Sequence, residues 1–502
     1  MDALPYAEGV SWNPNLVCLS DTRKDLIDDV IKWINSADES KVAEILWLSD
    51  VAGAGKSAIA HTIAQYCEGH GLLGSSFFFD RSIPDRRSPQ KLISTIARDL
   101  VRLEDSFANH ISLVLENDRS LASASQSRQF DKLIVEPSLS HPIGRTVVIV
   151  IDALDEGYDL ETLEVLRNKI PKLPGTFRVI LTSRPLDGII AALSGADHIQ
   201  RRSIDIHSDT NRQDIALYVW DRLRYISSRR GLPPDWPGAE RAVGLVIKAE
   251  GLFGWVAIVS EYLHTVADPD RTLSTLLSKR NLSGMPVEAK MDALYAEILS
   301  TCNWSDEDFL ESYYLHVGAI MAVKSPLSSS ALRALHGNNP ERGINEALRP
   351  LHSLLTGLFD DEQPILISHL SFREFLTDRA QSYHIHRRFY VSEKEHNQRL
   401  ASLCLRILNE DLMPHTPGAG YLTRSIPGIP SVHKSQISEA LGYACRFWAD
   451  HIIEIDGPMS GIFLSSLREF LATKCILWME VLTTRYPFQS LSKVRVWLQV
   501  ST

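Results

Sequence analysis
Cysteine is scarce and dispersed in this chain. Cys18, Cys67, Cys302, Cys404, Cys445 and Cys475 form no C-x-x-C pair. That spacing excludes a disulfide framework and a cysteine-based zinc site, and leaves reduced, buried thiols as the reading. Long apolar runs are missing too: Val147–Ile151 and Leu252–Val259 fall far short of a bilayer span. The first residues, Met1-Asp-Ala-Leu-Pro5, lack the basic region and apolar core of a signal peptide. A soluble, cytoplasmic chain with no membrane span is expected. Positive charge is not in excess either. The 52 Lys and Arg against 62 Asp and Glu leave a net charge of −10, which argues against nucleic acid as a partner. The pairs Arg86-Arg87, Arg201-Arg202 and Arg229-Arg230 are scattered and read as solvated surface. There is no H-E-x-x-H, no G-x-S-x-G and no internal repeat, and His384 and His386 lack a third ligand.

What is present is ordinary in amount, with 44% hydrophobic and 23% charged residues. At 502 residues the chain exceeds one hydrophobic core, so about three or four domains are expected. The informative stretch is Val51-Ala52-Gly53-Ala54-Gly55-Lys56-Ser57, between a strand at Ile45–Leu48 and a helix at Ala58–Cys67. A strand, a glycine-rich turn and a Lys-Ser pair opening a helix is the arrangement that holds nucleotide phosphates. Backbone N–H groups of residues 52–55 would face the anion, and Gly53 and Gly55 admit close approach because they carry no Cβ. Lys56 would reach the β- and γ-phosphates, and the Ser57 hydroxyl would ligate Mg²⁺. Asp50 stands where the pattern has its first glycine. Aspartate tolerates left-handed backbone, yet a carboxylate beside phosphates would repel them.

Short apolar strands alternate with helices from Lys41 to Ile206, the signature of a parallel sheet covered on both faces. The expected strands are Ile45–Leu48, Ser76–Phe79, Thr146–Ile151, Arg178–Thr182 and Ser203–Ile206, with Asn117–Ser127 as a mobile surface loop. The boundaries drawn are an N-terminal linker and helix at 1–40, an α/β nucleotide-binding domain at 41–207 and a helical domain at 208–293. A winged helix at 294–385 and a C-terminal helical domain at 386–502 complete the chain. The winged helix rests on helices at Asp306–Ala322, Ser328–His336 and Gly343–Thr356, then a hairpin of Gly357–Phe359 with Ile365–Ser368. Its third helix carries only Arg349 and His352 and its hairpin tip is acidic, so DNA readout is not expected. The last helices are placed at Leu441–Ile453 and Phe463–Thr484, and the absence of a capping signal after Arg495 suggests a chain that continues.

Two further signals bear on chemistry. The strand Val147–Ile151 delivers Asp152 to the sheet edge, where it can hold Mg²⁺. Asp155 and Glu156 follow, and either could orient or deprotonate an attacking water; the plainer alternative is that they open the next helix. Leu181-Thr-Ser-Arg184-Pro185 ends the next strand, and Arg184 there would face a γ-phosphate. Arg81 is a weaker candidate for the same task.

With these motifs assembled, the chain resembles the NACHT class of STAND signalling NTPases, the nucleotide-binding core of NOD-like proteins, particularly the fungal branch. The resemblance rests on residues 51–57, 152–156 and 181–185. It extends to Gly251-Leu-Phe-Gly-Trp-Val-Ala257, His369-Leu-Ser-Phe-Arg-Glu-Phe-Leu376 and Tyr443-Ala-Cys-Arg-Phe-Trp-Ala-Asp-His451. It implies an α/β P-loop sheet followed by a helical domain, a winged helix and a second α-helical region. It also implies ATP/ADP or GTP/GDP with Mg²⁺, slow hydrolysis, and self-association or signalling protein partners. His369 matches the histidine that contacts the phosphates of a bound diphosphate and locks the closed state. The alternatives are a hydrolysis-deficient scaffold or truncated adaptor and, in third place, a DNA-engaging ATPase.

Overall fold
Five parallel strands form the centre of the first of two units, Met1–Glu288; the second unit is Ala289–Thr502. The computed structural model describes residues 4–38, 41–278, 285–337, 344, 348–422, 428–456, 459–486 and 490–501. In chain order the first unit runs α1 (Lys24–Asn35), β1 (Glu44–Ser49), α2 (Lys56–Gly69) and β2 (Leu73–Phe78). Then come α3 (Leu92–Leu100), α4 (Asp105–Asn117), α5 (Gln126–Phe130), α6 (Glu136–Ser140) and β3 (Val147–Asp152). The sheet closes with α7 (Leu160–Asn168), β4 (Phe177–Ser183), α8 (Asp187–Leu193) and β5 (Ile199–Arg202).

The strand order is β2-β3-β4-β1-β5. Successive side chains of a strand point to opposite faces, and here both faces are covered, which is why the strands read as unbroken apolar runs. Trp47, Phe77, Ile149 and Val179 pack with Ile93, Ile96 and Phe107 on one side. Leu46, Leu48, Val150 and Ile180 pack with Ile59, Ile63, Val30 and Ile34 on the other. Leu46 pairs with Ile180, and Ile151 with Leu181, so β1 and β3 flank β4 and end at the same edge. That edge receives residues 50–57, 152–156 and 183–184 together.

Two expectations for this unit need correction. The fifth strand is Ile199–Arg202, not Ser203–Ile206. It pairs with Ile45–Leu48 of β1, and Arg201 lies over the Trp47 ring at 4.9 Å. An edge strand buries little, so its sequence is polar, while the apolar Ile204 just beyond it is buried without being strand. Residues 117–127 are not an irregular loop. Asp118 caps a turn at Arg119–Ser123 by accepting from the Ser120 N–H, and Ser125 caps α5.

A helical layer completes the unit: α9 (Asp209–Arg230), α10 (Ala239–Ala249), α11 (Phe253–Thr265) and α12 (Pro269–Ser278). The second unit opens within α13 (Val287–Ser300) and continues through Glu307–Ser312, Tyr313–Val317 and Gly318–Ala322 as one helical run. Ser329–His336 follows; of the helix expected at Gly343–Thr356, residues 343 and 345–347 lie outside the described residues, and the rest is not one helix, since Arg349–Leu351 is a single 3-10 turn and Leu355–Thr356 is strand. The hairpin is β6 (Leu355–Thr356) with β7 (Leu366–Ile367), displaced from the expected Gly357–Phe359 and Ile365–Ser368. Gly357 takes φ +84 and turns the chain out of β6, so it ends the strand and does not begin it. Helices Leu370–Glu374, Glu393–Glu410, Glu439–Ile452, Gly461–Thr473 and Cys475–Thr483 make up the rest; the expected Phe463–Thr484 breaks at Lys474. Among the described residues no helix is long and apolar enough to cross a membrane, and all six cysteines are free.

Candidate functional site
The turn after β1 is built by its glycines. Gly53 and Gly55 take φ of +79 and +90, a region where other residues lose about 1–2 kcal/mol. Gly55 caps α2, so that helix begins at Lys56 with its N–H groups directed back at the turn. Lys56 is buried, and its ammonium donates to the Asp50 carbonyl at 2.7 Å and the Val51 carbonyl at 2.8 Å. Burial lowers its pKa, against the opposing pull of Asp155, Asp152 and Asp50.

Asp152 ends β3 with its carboxylate buried at 3% exposure. Thr182 Oγ1 donates to it at 2.5 Å, and the Ser57 hydroxyl is a second donor. Burial raises the Asp152 pKa, while Thr182, Ser57 and Lys56 act to lower it. Lys56, Ser57 and Asp152 are thus brought together, 95 residues apart in sequence though two of them are. Asp155 and Arg184 also meet there: the Arg184 backbone N–H and Nε donate to the Asp155 carboxylate at 2.9 and 2.6 Å. Glu156 is half-buried, and burial first, then the neighbouring Asp80, pushes its carboxyl up to about 8. Arg81 holds this segment by donating to the Asp155 and Glu156 carbonyls at 2.9 and 3.3 Å. Ala52 lies in the turn and Ala54 is fully buried in it. His369 belongs to the second unit, where its Nδ1 is 2.9 Å from Ser371 Oγ.

The carboxylate of Asp50 is engaged within the fold. It accepts from the Ile204 N–H at 2.8 Å, Ser203 Oγ at 3.0 Å and its neighbour Val51 N–H at 2.7 Å. The side chain that replaces the first glycine is therefore a pin between the turn and the segment after β5. Those donors stabilise its charge, which also acts on Lys56.

Arg23 escaped notice in the sequence. It is buried at the start of α1 and donates from Nη2 to the Ala54 carbonyl at 2.8 Å. Its backbone N–H donates to Asp214 of α9 at 3.1 Å, and its guanidinium lies 4.8 Å from the Phe253 ring centre. The start of α11 also faces the turn. The Gly254 N–H donates to the Gly53 carbonyl at 3.0 Å, and a Cβ on Gly55 would lie 3.8 Å from the Phe253 ring. A lone arginine before an amphipathic helix has no local signature; only the similarity at Gly251–Ala257 pointed to α11.

The family described as "Nephrocystin 3, N-terminal" matches residues 21–184, under half of the chain but including all the motifs at the sheet edge. No curated protein sequence matches. Among solved structures, Cdc6p of Pyrobaculum aerophilum matches with TM-score 0.33 and 11% identity, covering 69% of this chain and 92% of that one. Drosophila ORC bound to DNA gives TM-score 0.28 and 12% identity, covering 72% and 90%. Orc1 of Aeropyrum pernix in complex with DNA gives TM-score 0.28 and 12% identity, covering 72% and 94%. Because those two structures hold DNA, the expectation that excluded nucleic acid as a partner is corrected. Net charge is a sum over the chain and does not decide the charge of any one face. On its strand order, the turn between β1 and α2, and the match over residues 21–184, the chain is a P-loop NTPase by fold.

Proposed function
We propose that the chain is a nucleotide-operated signalling switch of the NACHT/STAND kind, in which a bound nucleoside triphosphate and Mg²⁺ set the conformational state. The carrying observation is the convergence of Lys56, Ser57 and Asp152 beneath a turn with two left-handed glycines. The donor set fits the ligand. Hydroxyl and carboxylate oxygens suit a hard divalent ion, and the turn and helix start suit phosphate. Among the described residues no three His, Cys, Asp or Glu side chains could hold a metal, so Ser57 and Asp152 would share the ion with phosphate oxygens and water. Mg²⁺ would supply charge neutralisation at the transferred phosphoryl group.

The chain's own residues then divide the work. Lys56 binds the phosphates. Arg184 and Asp155, paired with each other here, are the groups that would exchange partners when a γ-phosphate is present. Glu156 is the candidate base; with its carboxyl at about 8 it is mostly protonated at neutral pH and accepts a proton poorly, in keeping with slow turnover. Contacts of Gly53 and Ala54 with Gly254 and Arg23 link the loaded turn to α9 and α11. The segments 41–207, 208–293, 294–385 and 386–502 would be the nucleotide domain, helical domain, winged helix and second helical region. His369 of the winged helix would contact the phosphates of a diphosphate. A triphosphate must favour the open, self-associating state over the closed one for the switch to work.

A second reading, a scaffold without turnover, is favoured by the Asp155–Arg184 pair, which leaves both groups engaged. Light scattering of the full chain on a sizing column separates the two. The switch requires a larger mass with a slowly hydrolysed triphosphate than with a diphosphate, and a larger mass for His369→Ala. Equal mass under every nucleotide leaves the scaffold standing.

A further inference from the structure
His369 caps the short helix Leu370–Glu374, and its Nδ1 is 2.9 Å from the hydroxyl of Ser371. The same hydroxyl is 2.7 Å from the phenol oxygen of Tyr295, on α13. Tyr295 is fully buried, packed against Phe372 and Phe375 with ring centres 5.1 and 5.8 Å away, and Ser371 is 4% exposed. Ser371 is also held from its backbone side: Arg379 Nη2 donates to its carbonyl at 2.9 Å, while Asp292 grips the same guanidinium at 2.7–3.0 Å.

Two buried hydroxyl hydrogens and one imidazole nitrogen must be satisfied among these three side chains, and the count admits one solution. If Nδ1 carried the hydrogen, it would donate to Ser371 Oγ. The serine hydrogen would then go to Tyr295 and leave the phenol hydrogen without an acceptor, or the phenol would donate and leave the serine hydrogen without one. An unpaired buried donor destabilises the fold. Only the chain Tyr295 O–H to Ser371 Oγ, and Ser371 O–H to His369 Nδ1, gives every hydrogen an acceptor.

We infer that Tyr295 and Ser371 are positioning residues that hold His369 in the tautomer with its hydrogen on Nε2. A neutral imidazole so held carries a donor hydrogen at Nε2, whereas the other tautomer would present a lone pair there. The value of this for an anion rests on the reading of His369 as a phosphate contact given above.

The test is ¹⁵N NMR of the nucleotide-free full chain with ¹⁵N-labelled histidine, the His369 signals assigned by their loss in His369→Gln. The inference requires an unprotonated Nδ1 and a protonated Nε2 in the parent. It requires averaged, exchanging tautomers in Ser371→Ala, retention in Ser371→Thr, and partial averaging in Tyr295→Phe, which keeps the packing and removes only the phenol. A parent with hydrogen on Nδ1, or a Ser371→Ala spectrum identical to the parent's, overturns it. Diphosphate affinity is the second readout: Ser371→Ala should weaken it about tenfold, with Ser371→Thr restoring it. If the tautomer pattern holds while His369→Gln leaves diphosphate affinity unchanged, the relay stands and the phosphate-contact reading falls.

Discussion
At the sheet edge of the first unit, burial moves two acids and a lysine away from their ordinary pKa values, whereas a buried histidine network in the second unit closes on itself. Asp152, Asp155 and Glu156 face Lys56 and Arg184; burial raises the first and third of the acids and lowers the lysine. In the second unit His451 is fully buried, with Nε2 at 2.7 Å from the Tyr443 hydroxyl and Nδ1 at 2.7 Å from Asn397 Oδ1. The Lys324 N–H donates to that hydroxyl at 2.9 Å, and Asn397 donates onward to the Glu393 carbonyl at 2.9 Å. Each buried group in the second network has what it needs from the protein. Buried polar groups that satisfy one another hold a fold, whereas acids and a lysine shifted by burial mark a candidate site.

Four substitutions sharpen or break that contrast. The largest effect belongs to the closed network: His451→Ala leaves the Tyr443 hydroxyl and Asn397 without their partner and opens a cavity. Urea denaturation should show a loss of about 3 kcal/mol, with nucleotide affinity of the folded fraction unchanged; an unaltered midpoint would place His451 among the dispensable groups. Asp152→Asn should do the reverse. Affinity for triphosphate in Mg²⁺ falls about a hundredfold, roughly the 2.7 kcal/mol of a charged oxygen contact, while the unliganded melting point stays level or rises because a buried like charge is gone.

Glu156→Gln tests the strained acid by pH. Its folded pKa of about 8 lies above its ordinary 4.5, so the folded state holds the proton more tightly. The stability this gives is full below the ordinary value and is lost as pH rises through about 8. For a half-buried group the loss should be on the order of 2 kcal/mol. Denaturation at pH 5 and 8.5 should show it in the parent and not in the variant; parallel curves would refute it. The smallest effect is expected from Asp50→Gly, which restores the usual glycine and removes the pin to Ser203 and Ile204. A loss of about 1 kcal/mol is predicted, with triphosphate affinity within a fewfold of the parent.

The sequence exposed the parts of the site that depend on local chemistry. Glycine at positions 53 and 55, lysine at 56 and an acid ending an apolar strand are readable because backbone sterics and strand burial act within a few residues. β5 was not readable in place: Ile199–Arg202 is strand because β1 pairs with it, and the pull of Ile204 and Ile206 misplaced it by a few residues. The roles of Asp50 and Arg23 were hidden for the same reason. Their partners, Ile204, Asp214 and Phe253, are far away in sequence, and no spacing rule joins them. Net charge could not carry an expectation about nucleic acid, because it is a sum over the whole chain and not a property of one surface.

The central claim is that Lys56 and Asp152 jointly seat a magnesium–phosphate group. Titration calorimetry of the full chain with Mg-ATP and with Mg-GTP, beside the Lys56→Ala variant, tests it most directly. Saturable heat with at least one triphosphate in the parent, absent from the variant, is the predicted result; heats that are nil in both proteins, or the same in both, would contradict it.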